Sequence, residues 1–254
     1  MTSKPKVTGA APAGAVRDER AAAAAVRQMF TAIAPRYDLL NHLLSFNIDK
    51  LWWRRVACTF SHLVERDEAA VLDLCCGTGD MALALLRQAK RRRATPRISG
   101  VDFSHAMLVR ASAKSPLPAS PIHWIEADAL HLPFAEGRFQ LVTSAFGFRN
   151  LANYDDGLQE IHRVLAPGGE VGILDFGEPA GLRGKLYRVY FRHVLPAIGT
   201  VVSGVRGPYA YLPASVLRFP TPEEMLDRMR TAGFRQVTWT PYTFGIAGLY
   251  RGVK

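Results

Sequence analysis

Apolar positions along the chain follow two rhythms. From Val71 onward, short apolar runs bounded by Gly, Pro or Asp read as strands: VLDLCC from Val71, RISGVDF from Arg97, IHWIEAD from Ile122, FQLVTSAF from Phe139 and EVGILDF from Glu170. Between them apolar residues recur at helical spacing, in DMALALLRQAKRRR from Asp80, from Ser104, and near Tyr154 to Leu165. The helix from Asp80 opens on an acid and closes on bases, which suits the helix dipole. Further on, TPEEMLDRMRTAGF predicts a helix capped by Thr221, with Pro222 at its first position, Glu224 completing a capping box and Gly233 ending it. RQVTWTPYT and GIAGLYRGVK close the chain as a pair of strands. Strands alternating with helices predict an α/β fold whose parallel sheet is wrapped on both faces.

The flanking segments differ. Residues 1–25 are rich in Ala, Gly and Pro and predict a disordered tail, with Ala21 to Ala25 leading into a helical pattern. From Val26 the segment VRQMFTAIAPRYDLLNHLLSFNIDKLWWRRVACTF alternates helical spacing with turn residues at Pro35 and Asn47, predicting a cap of short helices over 26–66. A long insertion over 181–220 follows the fifth strand, so 26–254 read as one domain with a cap and an insertion.

Composition narrows the setting. The longest apolar stretch, Val194 to Val205, is shorter than the roughly 20 residues that span a bilayer. The first residues lack the apolar core of a secretory signal, so a cytoplasmic protein is expected. Cys58, Cys75 and Cys76 lack zinc or redox spacing and are expected to be buried, reduced thiols. An excess of 32 Lys+Arg over 22 Asp+Glu gives a net charge of +10, which favours anionic partners, nucleic acid and a lipid surface alike.

Candidate chemistry centres on the turn after the first strand. In a parallel sheet, ligands bind at the carboxyl ends of strands near the point where strand order reverses, here Cys76-Gly77-Thr78-Gly79-Asp80. Gly77 and Gly79 let the backbone approach a ligand, with Thr78 between them, although the turn with Ala82 also satisfies a loose dinucleotide fingerprint. Asp73 discriminates, because a carboxylate beneath the turn repels a pyrophosphate and attracts the ammonium and sulfonium of S-adenosylmethionine. Asp102 ends the next strand where an acid can accept ribose hydroxyls, and Phe103 beside it can cover the adenine edge. Asp128 and Ala129 end the third strand, where a carboxylate and a backbone N–H can meet the adenine. The cofactor expected is S-adenosylmethionine, and the chemistry calls for no metal.

YDLLN at Tyr37 to Asn41, LDLCCGTGD at Leu72 to Asp80, GFRN at Gly147 to Asn150, RVLAPGG at Arg163 to Gly169 and YLPASVLRFP at Tyr211 to Pro220 resemble the UbiE/MenG family of ubiquinone and menaquinone biosynthesis C-methyltransferases. The resemblance runs from about Met29 to Lys254; Leu40, Phe148 and Tyr250 depart from the family's usual Met, Leu and His. It implies a class I methyltransferase fold, Rossmann-like with a seven-stranded, mostly parallel sheet, and methylation of a polyprenyl quinol. The quinol is expected to be demethylmenaquinol, with a benzoquinol of ubiquinone synthesis as the alternative. It also implies Arg149 and Asn150 near the reacting ring, where Arg149 would steady the developing phenolate, directly or through a water, and Asn150 orient it. Tyr37 and Asp38 are second candidates, since the cap can close over the cleft. GLRGKLYRVYFRHVLPAIG sets Lys185, Arg188 and Arg192 along one side of an aromatic helix, the composition of an interfacial helix, so transient contact with the inner face of the cell membrane is expected. Nucleic acid is not an expected partner, because AFGFRN stands where an N-P-P-Y-like loop would be; a homodimer and a non-catalytic scaffold are left open.

Overall fold

The computed structural model describes residues 19–34, 47–115, 121–177, 179 and 215–254. Seven strands form one sheet: β1 (Ala70–Leu74), β2 (Arg97–Asp102), β3 (Ile122–Glu126), β4 (Phe139–Ala145), β5 (Leu165–Phe176), β6 (Arg235–Tyr242) and β7 (Ala247–Val253). Their order is β3-β2-β1-β4-β5-β7-β6. β1 to β5 run parallel, and β7 inserts antiparallel between β5 and β6. This is the mostly parallel sheet the alternating pattern predicts.

Why the sheet is covered on both faces can be read in β1. Ala70, Leu72 and Leu74 point to one side and Val71 and Asp73 to the other, and all five are buried. On the first side, α6 (Tyr154–Val164) and α7 (Pro222–Thr231) pack through Leu158, Ile161, Met225 and Met229. On the second, α2 (Ile48–Thr59), the single turn α3 (Ser61–Val64) and α4 (Asp80–Lys90) pack through Val56, Phe60, Leu63 and Leu85. α5 (His105–Lys114) lies over β2 and β3, and α1 (Glu19–Ile33) lies on α5.

Local chemistry sets several element ends. Asn47 takes the left-handed conformation, φ 59°, where the chain turns into α2. Thr221 and Glu224 form the reciprocal capping box: the Glu224 amide donates to the Thr221 hydroxyl at 3.3 Å, and the Glu224 carboxylate accepts from the Thr221 amide at 2.9 Å.

Two expectations need adjustment. The first helix begins at Glu19, inside the stretch expected to be tail, because Ala22 and Val26 are buried and give the alanine run a packed face. The thiols are not all buried: Cys58 is exposed, since α2 turns Trp52, Trp53, Val56 and Ala57 inward and Cys58 outward, and Cys75 is only partly covered. Most of the insertion 181–220 and most of the tail lie outside the described residues.

The capping box makes a direct test of local stability. Thr221→Ala is expected to cost about 1 kcal/mol, read as a Tm lower by about 2–4 °C for a domain of this size, with cofactor affinity unchanged because α7 lies on the face away from α4.

Candidate active site

Strand order reverses between β1 and β4, whose carboxyl ends sit side by side with their loops diverging. A cleft opens there, about 1030 Å³ including the open space at its mouth. Its floor is the turn 75–79, its far wall the ends of β2 and β3, and its near wall the turn after β4.

The floor turns because three of its five residues are left-handed: Cys75 at φ 52°, Gly77 at 53° and Gly79 at 83°. The two glycines do different work. A Cβ on Gly77 would meet nothing within 4 Å, so bare backbone faces the cleft. A Cβ on Gly79 would lie 2.5 Å from the Trp124 ring, so Gly79 lets the turn pack on β3 and does not line the cleft.

Asp73 lies wholly buried beneath the turn. Its carboxylate accepts from the Ala82 amide at 3.0 Å and from the Thr143 hydroxyl at 3.0 Å. Gly79 offers α4 no side-chain cap, so β1 supplies one from below. The sequence predicts a fixed carboxylate facing the ligand, and Asp73 is among the residues that line the cleft. Here both oxygens already accept bonds, and burial pushes the carboxyl up to about 7, against the pull of Thr143 and Ala82. The carboxylate occupies the helix N-terminus that a pyrophosphate would need.

Asp102 is similarly built in. Its two oxygens accept from the amides of Gly77 at 2.8 Å and Ser104 at 2.9 Å, and burial pushes it up to about 6. It therefore fixes the turn's Gly77 amide while lining the cleft. Thr78 is buried and accepts from the Lys114 ammonium at 2.9 Å, which also pairs with Asp80 at 2.9 Å. Phe103, Asp128 and Ala129 line the far wall; Asp128 is half exposed and accepts from the Leu130 amide at 2.9 Å.

The near wall divides the expected catalytic pair. Asn150 lines the cleft. Arg149 does not: it is buried, its guanidinium lies 3.8 Å from the Asp175 carboxylate and 5.5 Å from the centre of the Phe176 ring, and it donates to the Phe146 carbonyl. Tyr37 and Asp38 lie outside the described residues. The sequence also hid several lining residues. Ala23 and Phe30 come from α1, which is tied down by the Arg27–Glu126 ion pair and by the Thr31 and Ser104 hydroxyls at 3.2 Å. Trp53 comes from α2 and Phe146 from the turn after β4. Helical spacing marks Trp53 and Phe30 as inward-facing, but nothing in it says that they face a cavity.

The chain was compared with known proteins. The model of the ubiE/COQ5 methyltransferase family matches residues 15–254. A demethylmenaquinone methyltransferase of Deinococcus radiodurans is 47% identical over 94% of this chain and 96% of its own. One of Thermus thermophilus is 48% identical over 88% of this chain and 99% of its own. Among solved structures, a SAM-dependent methyltransferase from Thermotoga maritima superposes with a TM-score of 0.59 at 18% identity, over 89% of this chain and 99% of that one, a likeness of fold.

Asp73 gives the cleft a pH signature. Its folded value of about 7 exceeds the ordinary 3.8, so folding takes up a proton in that window and the stability linked to Asp73 is lost as pH rises through it. Relative to Asp73→Asn, the cofactor-free protein is expected to lose several degrees of Tm between about pH 5 and 7.5. Added S-adenosylmethionine, a cation matched to the ionised carboxylate, is expected to recover more of that Tm at the higher pH. A pH-independent gap between parent and variant would refute the assignment.

Proposed function

The chain belongs to the ubiE/COQ5 methyltransferase family, and on that premise we propose that this S-adenosylmethionine-dependent C-methyltransferase acts on the naphthoquinol ring of a demethylated menaquinol. The observation that carries the choice of acceptor is the pair of relatives named for demethylmenaquinone, 47% and 48% identical along nearly the whole chain.

The cleft's own residues fit the cofactor. Gly77 presents backbone with open space beyond it, Asp102 and Asp128 offer acceptors at successive strand ends, and Phe103 and Ala129 supply apolar cover. We assign Gly77, Thr78, Asp102, Phe103, Asp128 and Ala129 to holding it, Thr78 through its fixed place beside Asp80 and Lys114. Asp73 and Gly79 set the shape of the turn from beneath. S-adenosylmethionine, when bound, supplies an electrophilic methyl group on a positively charged sulfur.

The remaining demands fall on the protein. Donor and acceptor have to be held in line and kept dry. Trp53, Phe146 and Phe30 make an apolar wall for a fused aromatic ring. A ring carbon becomes nucleophilic as the neighbouring hydroxyl gives up its proton, because the negative charge then spreads onto that carbon. We assign Asn150, which lines the near wall, to hydrogen-bonding that oxygen and orienting the ring.

The polyprenyl tail requires access from a lipid phase. No helix among the described residues is long and apolar enough to cross a membrane. Peripheral contact at the inner face of the cell membrane, through the basic aromatic segment around Lys185, Arg188 and Arg192, completes the reading. That segment lies outside the described residues, and its support is compositional.

Two measurements test these readings. Purified protein with methyl-labelled S-adenosylmethionine is expected to label reduced demethylmenaquinol at least about 10-fold faster than a 2-methoxy-6-polyprenyl benzoquinol, a difference of roughly 1.4 kcal/mol in the barrier; the reverse preference, or no labelling of either, rejects the naphthoquinol assignment. The protein is expected to sediment with anionic liposomes and to stay in solution once Lys185, Arg188 and Arg192 are all changed to Glu. Retained sedimentation in that variant would assign the contact elsewhere.

A further inference from the structure

Asp175 is wholly buried at the end of β5 and faces the turn after β4, 26 residues earlier in sequence. One carboxylate oxygen accepts from the Arg149 amide at 3.0 Å and the other from the Phe176 amide at 2.9 Å. The Arg149 guanidinium lies beside the same carboxylate, 3.8 Å away, and donates back to the Phe146 carbonyl. That carbonyl also accepts from the Asn150 side chain at 3.4 Å, and the Tyr154 hydroxyl donates to the Arg149 carbonyl at 3.0 Å. Phe146 itself is held at φ 59°, an unfavourable conformation for an aromatic residue that persists only where its surroundings over-determine it.

Arginine stays charged at any pH the protein meets, and a buried charge needs a partner. The pair of Arg149 and Asp175 is therefore the fixed point around which the turn 146–150 closes. From that turn Phe146, Gly147 and Asn150 reach the cleft while Arg149 points away from it. Gly147 touches the cofactor turn so closely that a Cβ there would lie 2.4 Å from that of Cys75. A small shift of the near wall would thus be felt directly by the floor.

We propose that Asp175 is a positioning residue for methyl transfer: through Arg149 it holds the turn 146–150 so that Asn150 faces the acceptor, and the Arg149 guanidinium does not touch the reacting ring. The kinetic part rests on the quinol reading above, and the exchange part does not.

The test compares Asp175→Asn, Arg149→Lys and the charge-free double variant Arg149→Gln/Asp175→Asn with the parent. In the absence of any acceptor, amide exchange over residues 146–150 is expected to quicken at least about 10-fold in Asp175→Asn, and over residues 75–79, which touch that turn through Gly147, to quicken less. Unchanged exchange in 146–150 overturns the proposal whatever the acceptor proves to be. With whichever quinol the parent methylates, kcat is expected to fall about 10- to 100-fold in each single variant. The dissociation constant of S-adenosylhomocysteine is expected to stay within about twofold, and the pH–rate profile to keep its shape, because a positioning group does not share the acceptor's proton. The double variant is expected to lose no more than the worse single one, since the two residues act as a unit. An alkaline displacement of the profile on replacing Arg149 would show the guanidinium stabilising the phenolate directly and would overturn the proposal, as would parental kcat in Asp175→Asn. Should Asp175→Asn fail to fold, the double variant, which leaves no lone buried charge, carries the same measurements; parental exchange or kcat there rejects the idea.

Discussion

The active cleft depends on one buried contact, the carboxylate of Asp73 against the first turn of α4. The helix starts at a glycine that can offer no side-chain cap, and it starts there because the chain has to turn sharply beneath a ligand. Without a cap, amides at the start of α4 would face a dry interior, at about 1–3 kcal/mol for each one left unsatisfied. Asp73 removes that cost for Ala82 from the strand below, and Thr143 on β4 holds the second oxygen. The contact ties β1, α4 and β4 together at the point where strand order reverses. The arrangement also carries a standing electrostatic debt, since a carboxyl group kept from water prefers to be neutral. A cation near the turn relieves it, and a phosphate would worsen it. Cofactor choice and fold stability thus share one group.

Several elements are legible in the sequence because they are local. The capping box of Thr221 and Glu224 spans one turn, and the strand runs from Val71 to Phe176 are bounded by residues that stop them. The sheet's mostly parallel character follows from the alternation of strand and helix, and the short link between β6 and β7 suits their antiparallel pairing, but the insertion of β7 beside β5 shows only in the fold. The site is less legible. Asp102 reads as an open acceptor for ribose, and only the fold shows that its oxygens are first spent on Gly77 and Ser104. Gly77 and Gly79 look alike in a motif, and only the ring of Trp124, from a different strand, separates the one that faces the cleft from the one that packs. That the first helix starts as early as Glu19 is not legible, because alanine runs carry little periodic signal, while the burial of Ala22 and Val26 comes from tertiary contact.

Arg149 is the most instructive case. As a charged residue in a loop beside the cleft it invites a catalytic role, and nothing nearby in sequence contradicts that. Its partner is on another strand, so the pairing exists only in three dimensions. Burial then decides between roles: a guanidinium with 5% of its residue surface exposed, 3.8 Å from a carboxylate and donating to a carbonyl, is poorly placed to follow charge developing on a ligand. Asn150 carries no charge to neutralise and can afford to face the cleft.

The two loops of the cleft are built alike, and on the proposed reading that likeness explains how a donor and an acceptor can be held in line. Each follows a central strand, opens on a left-handed non-glycine residue, Cys75 or Phe146, and is pinned by a buried aspartate, Asp102 at the Gly77 amide or Asp175 at the Arg149 amide. Gly147 lies against Cys75 at a distance no side chain would permit, so the turns cannot move independently. In-line transfer needs the reacting atoms within about 3–3.5 Å along a fixed direction. Mutual contact between two pinned turns supplies that direction without a lid having to define it. The apolar wall from α1 and α2 can then serve mainly to exclude water and admit a greasy ring. On the reading proposed above, acceptor preference belongs to the wall and alignment to the turns.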